Sequence, residues 1–242
     1  MESLATIEGR NPVIEAIKND REIDKIMIAN SAKEGSIKKI IGMAKEKNIV
    51  IQYVDKHKLD EVSTSHSHQG VIAQVSEYKY WELDELIESV KAKNEDPFFI
   101  ILDEITDPHN LGSIIRTADA FGLTAVIVSP TTCDPYNDKV IRATMGSVWH
   151  IPVVRKTMDE CFEFFDKENI DTLAMHLKGN ELGAGDLKLP CAYFIGNEGD
   201  GLTDETTKKC KKLVKIPMKG KAESLNAAVA ASLIGFELSK LL

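Results

Sequence analysis

Long apolar runs, a surplus of positive charge and closely spaced cysteines are all missing from this chain. No apolar stretch approaches the roughly 20 residues a membrane span requires. The opening Met1-Glu2-Ser3-Leu4 has neither the basic start nor the apolar centre of a secretory signal, so the expectation is a cytoplasmic protein. The cysteines Cys133, Cys161, Cys191 and Cys210 stand far apart with no C-x-x-C. That spacing points to reduced thiols and to no zinc or other metal site. A formal net charge of -8 over 242 residues argues against an overall basic footprint for nucleic acid. It leaves room for a local one at Lys38-Lys39, residues 91–93, residues 208–215, or Lys219 with Lys221, although a solvated face is the simpler account of each run. Nucleotide fingerprints are absent too. No G-x-x-x-x-G-K-[ST] occurs, and the glycines Gly196, Gly199 and Gly201 follow G-x-x-G-x-G, the reverse of the dinucleotide order and late in the chain.

What is present is a globular composition, 43% hydrophobic, in which short apolar runs alternate with helix-spaced segments. Residues 11–18 predict a helix with Asn11 as N-cap and Pro12 at its first position. Strands are predicted at 23–29, 49–54 and 70–75, with helices at 35–47 and 55–62 between them. Together they form a small α/β/α unit over residues 1–78. The polar run Ser63 to Gly70 contains His66 and His68; with no further ligand nearby, a solvent-facing loop is the better account than a metal site. Residues 79–96, together with Tyr78, read as an amphipathic helix and linker. From Pro97 onward strand–loop–helix units predict an α/β domain over 97–242.

Three loops of that second domain carry candidate chemistry, because each follows an apolar strand and precedes a helix, where open α/β sheets bind ligands. The first spans residues 103–116, with Asn110 as a plausible N-cap and Arg116 set among Ile114, Ile115 and Ala118; the helix is expected over 112–121. The second is residues 196–202, whose glycines permit close backbone approach to a ligand or simply make a turn. The third, residues 216–226, joins a run read as a buried strand (213–217) to an Ala/Leu-rich helix (227–242), with Ser224 as expected N-cap.

Residues 107–120, 194–202 and 216–231 closely resemble the three motifs of the SpoU branch of the SPOUT methyltransferases. Ile7-Glu8-Gly9-Arg10-Asn11-Pro12-Val13-Ile14-Glu15-Ala16 and His68-Gln69-Gly70-Val71 resemble that family's L30e-like RNA-binding domain, so the likeness covers nearly the whole chain. It implies S-adenosyl-L-methionine as methyl donor and an RNA ribose 2′-hydroxyl as acceptor. The combination is most similar to enzymes acting on a guanosine of 23S rRNA, with tRNA-modifying relatives as the alternative. A non-catalytic RNA-binding ribosome-assembly protein is the rival from another class. The resemblance also implies a C-terminal trefoil knot, which chains ordinarily avoid, and an active homodimer packed through the catalytic domain. By motif position, Gly196, Ile216 and Leu225 would hold the cofactor, with Asn197 and Met218 lining the pocket. Asn110, Arg116, Glu198, Ser224 and Asn226 would carry catalysis or substrate placement. The family proposes Arg116 as proton acceptor; since a guanidinium stays protonated in proteins, a clamp on developing negative charge is the chemically easier role.

Overall fold

A computed structural model describes residues 4–19, 21–64, 66–76, 79–181, 187–221 and 224–242. It divides into two compact units. The first begins with β1 (Leu4–Glu8), α1 (Arg10–Lys18), β2 (Ile23–Ala29), α2 (Ser36–Glu46), β3 (Val50–Val54), α3 (Lys56–Val62) and β4 (Val71–Ser76). The sheet order is β1-β4-β2-β3, antiparallel except for the parallel β2–β3 pair. Period-2 alternation sorts its faces. Ile26 and Ile28 pack with Val13, Ile17, Ile37 and Ile40 of α1 and α2, whereas Met27 and Ala29 pack with Leu59 of α3 on the other face. The expected α/β/α layering follows. The strand β1 was not legible in the sequence, and α1 starts at Arg10 under Gly9 (φ 96), not at Asn11, because the sharp entry needs a residue free to adopt positive φ.

The second unit contains α4 (Leu83–Lys93), β5 (Phe98–Leu102), α5 (Pro108–Ala120) and β6 (Ala125–Val128). The next helix, α6 (Asp138–Thr144), belongs with Tyr136–Trp149 to the first unit. It ends at Thr144, since Met145 and Gly146 turn the chain at φ 54 and 104. The second unit resumes with β7 (Val153–Arg155), α7 (Met158–Lys167), β8 (Asp171–Glu181), β9 (Cys191–Ile195), α8 (Asp204–Lys209), β10 (Lys212–Lys215) and α9 (Ala227–Ser239). The linker helix α4 starts at Leu83; its predicted start at Tyr78 lies outside the described residues.

The six strands are all parallel, in the order β10-β8-β9-β5-β6-β7. The central strands β5 and β9 are buried at every position, as their unbroken apolar runs predict for strands covered on both faces. Phe162 stacks on Phe194 at 4.9 Å between ring centres, and Phe99 packs on Phe165 at 5.6 Å, so the ring-rich face of α7 closes one side. On the same sheet β10 departs from expectation. It is an edge strand in which only Val214 is fully buried, and β8 runs to Glu181 with a register break opposite Leu213/Val214. From β5 the chain winds outward through β6 to β7, then crosses to β8 and steps back to β9 beside β5. That reversal makes a crevice outside the carboxyl ends of β5 and β9.

Candidate functional site

The site grows from the start of α5. Asp107 caps this helix, accepting a hydrogen bond from the His109 amide at 2.8 Å, and Pro108 occupies the first helical position with no amide to satisfy. Asn110 is therefore not the cap expected from sequence. It lies inside the first turn and is only 8% exposed, so both ends of its amide need partners. They are supplied by the other two loops. Asn110 Nδ2 donates to Glu198 Oε1 at 2.9 Å, and Asn110 Oδ1 accepts from Asn226 Nδ2 at 2.9 Å.

Asn226, not Ser224, caps α9. Its Oδ1 accepts from the amides of Ala228 at 2.9 Å and Val229 at 3.4 Å. Those donors fix the orientation of the whole chain of amides. Since Asn226 Oδ1 must accept, its Nδ2 donates; Asn110 then presents Oδ1 to Asn226 and Nδ2 to the carboxylate of Glu198, which only accepts. One continuous relay thus ties the loop after β9, the start of α5 and the start of α9. It requires a long reach: the chain leaves β10 at the sheet's edge and begins α9 against the helix that follows β5, three strand positions away. Thr117 Oγ1 to Ser232 Oγ at 2.8 Å and Tyr193 Oη to the Ala231 carbonyl at 3.3 Å hold α9 there.

A second tie runs through Asn197. Its Nδ2 donates to the Glu104 carbonyl at 3.1 Å, and its Oδ1 accepts from the Gly199 amide at 2.7 Å. The turn it organises folds back tightly. A β-carbon on Gly196 would stand 2.2 Å from the carbonyl carbon of Gly201 and 2.3 Å from the Leu202 nitrogen, so no other residue fits. At Gly196 the structure shows the tight turn, packed against the chain's own Gly201 and Leu202 backbone. Beside this turn Asp103, which the sequence reading passed over, is 8% exposed at the end of β5. Burial, and then the charge of Glu104, raise its carboxyl above the usual range, while a hydrogen bond with Ser129 opposes them. An acidic residue directly after the apolar run Phe98–Leu102 was the available signal.

The remaining expected residues stay apart from the relay. Arg116 is exposed on α5 and has no ion-pair or hydrogen-bond partner among the described residues. Ser224 is likewise exposed, with no hydrogen-bond partner among the described residues. Ala222 and Glu223, in the middle of the third loop, lie outside the described residues. Ile216 is half-buried, and Met218 and Leu225 are each 37% exposed, leaving apolar surface facing solvent at the strand ends. Among the described residues no cluster of His, Cys, Asp or Glu is arranged to hold a metal.

Ile216, Met218 and Leu225, left partly exposed, and the tight turn at Gly196 are the positions that the family resemblance assigns to a cofactor.

Comparison with known proteins points the same way. Residues 97–236 match the SpoU rRNA Methylase family, and residues 6–81 match the family described as RNA 2'-O ribose methyltransferase substrate binding. The chain is 42% identical to YacO of Bacillus subtilis (strain 168), a protein assigned to the TrmH family of tRNA/rRNA methyltransferases, over 95% of this chain and 93% of that one. It is 39% identical to a protein of the same assignment from Staphylococcus haemolyticus, over 96% and 94%. Among solved structures, the SpoU methyltransferase AviRb from Streptomyces viridochromogenes, in complex with AdoMet, matches with a TM-score of 0.79 at 25% identity, covering 98% of this chain and 89% of that one. An AdoMet-bound rRNA methyltransferase from Sinorhizobium meliloti matches with a TM-score of 0.74 at 27% identity, covering 99% and 88%.

Proposed function

Because this chain belongs to the SpoU methylase family, an S-adenosylmethionine-dependent group of RNA methyltransferases, we propose that it methylates the ribose 2′-hydroxyl of a guanosine in 23S rRNA. Support for ribose comes from the match of residues 6–81 to a 2'-O ribose substrate-binding family. Support for ribosomal RNA comes from the likeness over 99% of the chain to an rRNA methyltransferase. The observation that carries the reading is the relay Glu198–Asn110–Asn226, which joins three strand-end loops that nothing in a purely structural sheet needs to join.

S-adenosylmethionine, when bound, supplies an electrophilic methyl group. Gly196, Asn197, Ile216, Met218 and Leu225 are the residues that would hold it. Asn110, Glu198 and Asn226 keep the surrounding loops in one arrangement before the substrate arrives, so little reorganisation is left for the transition state. Arg116, exposed and without a partner among the described residues, is available to meet a phosphate or the oxygen that gains negative charge as its proton leaves. Ser224 places a hydroxyl on the same loop as Leu225. Residues 216–226, reaching from the sheet edge to α5, would form the closing pass of the C-terminal knot.

The chain works as a homodimer through its catalytic domain. Val229, Leu233 and Phe236 stand 47%, 40% and 48% exposed on α9 at spacings of four and three, an apolar stripe on an exposed helix face. Its four free cysteines suit the cytoplasm, and no helix among the described residues is long and apolar enough to cross a membrane. The test is transfer of labelled methyl from S-adenosylmethionine to ribosomal RNA and, separately, tRNA purified from cells lacking the gene, with 2′-O-methyl sites mapped by resistance to alkaline cleavage. One new protected guanosine in 23S rRNA is the expected result. Transfer only to tRNA moves the assignment to the tRNA-modifying relatives; no transfer, with no cofactor binding, overturns the reading.

A further inference from the structure

The His66–His68 run is used neither by the strand-end loops nor by any metal, yet it is built with care. A cavity of about 710 Å³ opens in the first unit, lined in part by Arg10, Lys56, Asp60, His66, His68 and Gln69. Its size lies within the range of roughly 300–1,000 Å³ usual for small-ligand pockets.

The wall is a turn held in uncommon backbone conformations. His66 and Gln69 both sit at φ 51, where an L side chain is crowded, and Gly70 follows at φ 82. Three sets of bonds hold it there. The wholly buried carboxylate of Glu8 accepts from Ser63 Oγ at 2.5 Å and from the Thr64 amide at 2.6 Å. Arg10 donates from its amide to Gln69 Oε1 and from Nε to the Gln69 carbonyl, each at 3.2 Å. His68, 5% exposed, accepts the Gly70 amide on Nδ1 at 3.0 Å and meets Asp60 Oδ1 through Nε2 at 2.9 Å. An amide can only donate, so Nδ1 is the acceptor and Nε2 carries the proton toward Asp60. Both nitrogens of His68 are thereby committed, which removes it as a metal ligand.

The groups left over define the ligand. Arg10 uses only Nε, so its two terminal nitrogens keep their donors free among the described residues. The exposed ammonium of Lys56 has no ion-pair partner among them. The carboxylate on the rim, Asp60, is already engaged by His68. The Asp60 carboxylate keeps its charge, its pKa lowered by the hydrogen bond from His68 and by the Lys56 ammonium, but it offsets only one of the two cations, so the rim stays net positive and suits a phosphate group. The exposed ring of His66 offers a flat face for a base.

We infer that this cavity receives one nucleotide of a single-stranded stretch of the RNA substrate, its phosphodiester on Arg10 and Lys56 and its base on His66. The inference rests on the RNA-methyltransferase reading above. A splayed nucleotide fits a concave site of this volume, whereas stacked, paired bases cannot enter it.

The test measures binding of a fluorescein-labelled, mixed-sequence single-stranded RNA to the full chain by anisotropy across a salt series. Arg10→Ala with Lys56→Ala should weaken binding about tenfold at about 100 mM salt and flatten the log–log salt slope by about 0.7, the value for one phosphate contact on a single strand. Lys56→Ala alone breaks no internal hydrogen bond, so a loss of about threefold there, with an unchanged melting midpoint, reads the effect free of folding. Lys45→Ala, an exposed cation on α2 away from the cavity, should leave affinity and slope intact. The proposal is overturned if the double variant stays within twofold of the parent, if Lys45→Ala loses as much, or if the parent does not bind this RNA. Calorimetry with S-adenosylmethionine separates the two readings: retained cofactor binding with unaltered RNA binding sinks the cavity alone, and absent cofactor binding by the parent sinks the enzymatic reading.

Discussion

Replacing Asn110 by Asp or by Leu separates an oriented relay from a polar residue that merely fills space. By shape Asp is the closer substitute, yet the structure ranks it the worse. Asp places a carboxylate oxygen where Nδ2 now stands, 2.9 Å from Glu198 Oε1. Two unit charges at that separation repel by about 1.4 kcal/mol in bulk water and by about 6 kcal/mol at an effective dielectric constant of 20. Glu198 is exposed, so the lower end governs. The lost hydrogen bond to a charged acceptor adds a further part of its usual 1.5–3 kcal/mol, because water recovers the rest. The sum is about 2–4 kcal/mol, or a fall of roughly 4–15 °C in melting midpoint. Leu forfeits both hydrogen bonds but adds no charge. Its freed partners, Glu198 and Asn226, are exposed and rehydrate, so about 1 kcal/mol is lost. Both variants should lose methyl transfer by about 10²–10³-fold, since the loops no longer hold one arrangement. Thermal melts with transfer of labelled methyl to RNA at neutral pH read both quantities. An Asp variant as stable as the parent, or a Leu variant less stable than the Asp variant, would refute the reasoning.

Gly196→Ala forces the 196–202 turn open, because its β-carbon lies within 2.3 Å of Gly201 and Leu202 backbone; cofactor affinity by calorimetry should fall at least about tenfold, with about 1–3 kcal/mol of stability lost. Arg116→Lys keeps the charge but loses the planar fork; turnover should drop with cofactor affinity unchanged, and near-full turnover would rule out a bidentate role. Phe236→Lys should give a monomer by light scattering with reduced activity, whereas a fully active monomer contradicts the dimer. Burial pushes the Cys161 and Cys191 thiols up to about 12 from 9.0. The unfolded thiols ionise first, so stability is full below about pH 9 and falls toward pH 12 by about 1.4 kcal/mol per pH unit for each. Urea unfolding at pH 8.5 and 10.5 should show this slope, and replacing both cysteines by alanine should remove their share of it, leaving that of Cys133 and Cys210, which burial also raises.

The parts of the fold that depend on local pattern were legible, and the parts that depend on partners were not. Phe98–Leu102 and Cys191–Ile195 read as buried parallel strands because both faces are covered and the apolar run is unbroken. The run from Leu213 to Ile216 suggested the same for the last strand, but β10 ends at Lys215 and its edge position leaves Leu213 half-buried; strand order is invisible to periodicity. Helix starts failed for a related reason. Asn11, Asn110 and Ser224 are all good capping residues, yet Gly9, Asp107 and Asn226 take the role. At each start several residues could cap, and tertiary contacts choose among them.

That choice explains why the site was visible as residues but not as a mechanism. A capping asparagine ordinarily spends its carbonyl oxygen on the helix and leaves its amide to water. Asn226 instead gives that amide to Asn110, a contact between residues 116 positions apart, and Asn110 can take it only because Asp107 has relieved it of capping. The two helix starts therefore depend on each other. Shifting the cap of α5 to Asn110 would cost the link to α9 and to Glu198 together. Spacing within any one loop carries no trace of this dependence. It arises from the strand order that sets β9 beside β5 and from the reach of the chain between β10 and α9. The same logic makes the relay a better probe of the site than any single residue in it: its members are chemically ordinary, and only their mutual orientation is unusual.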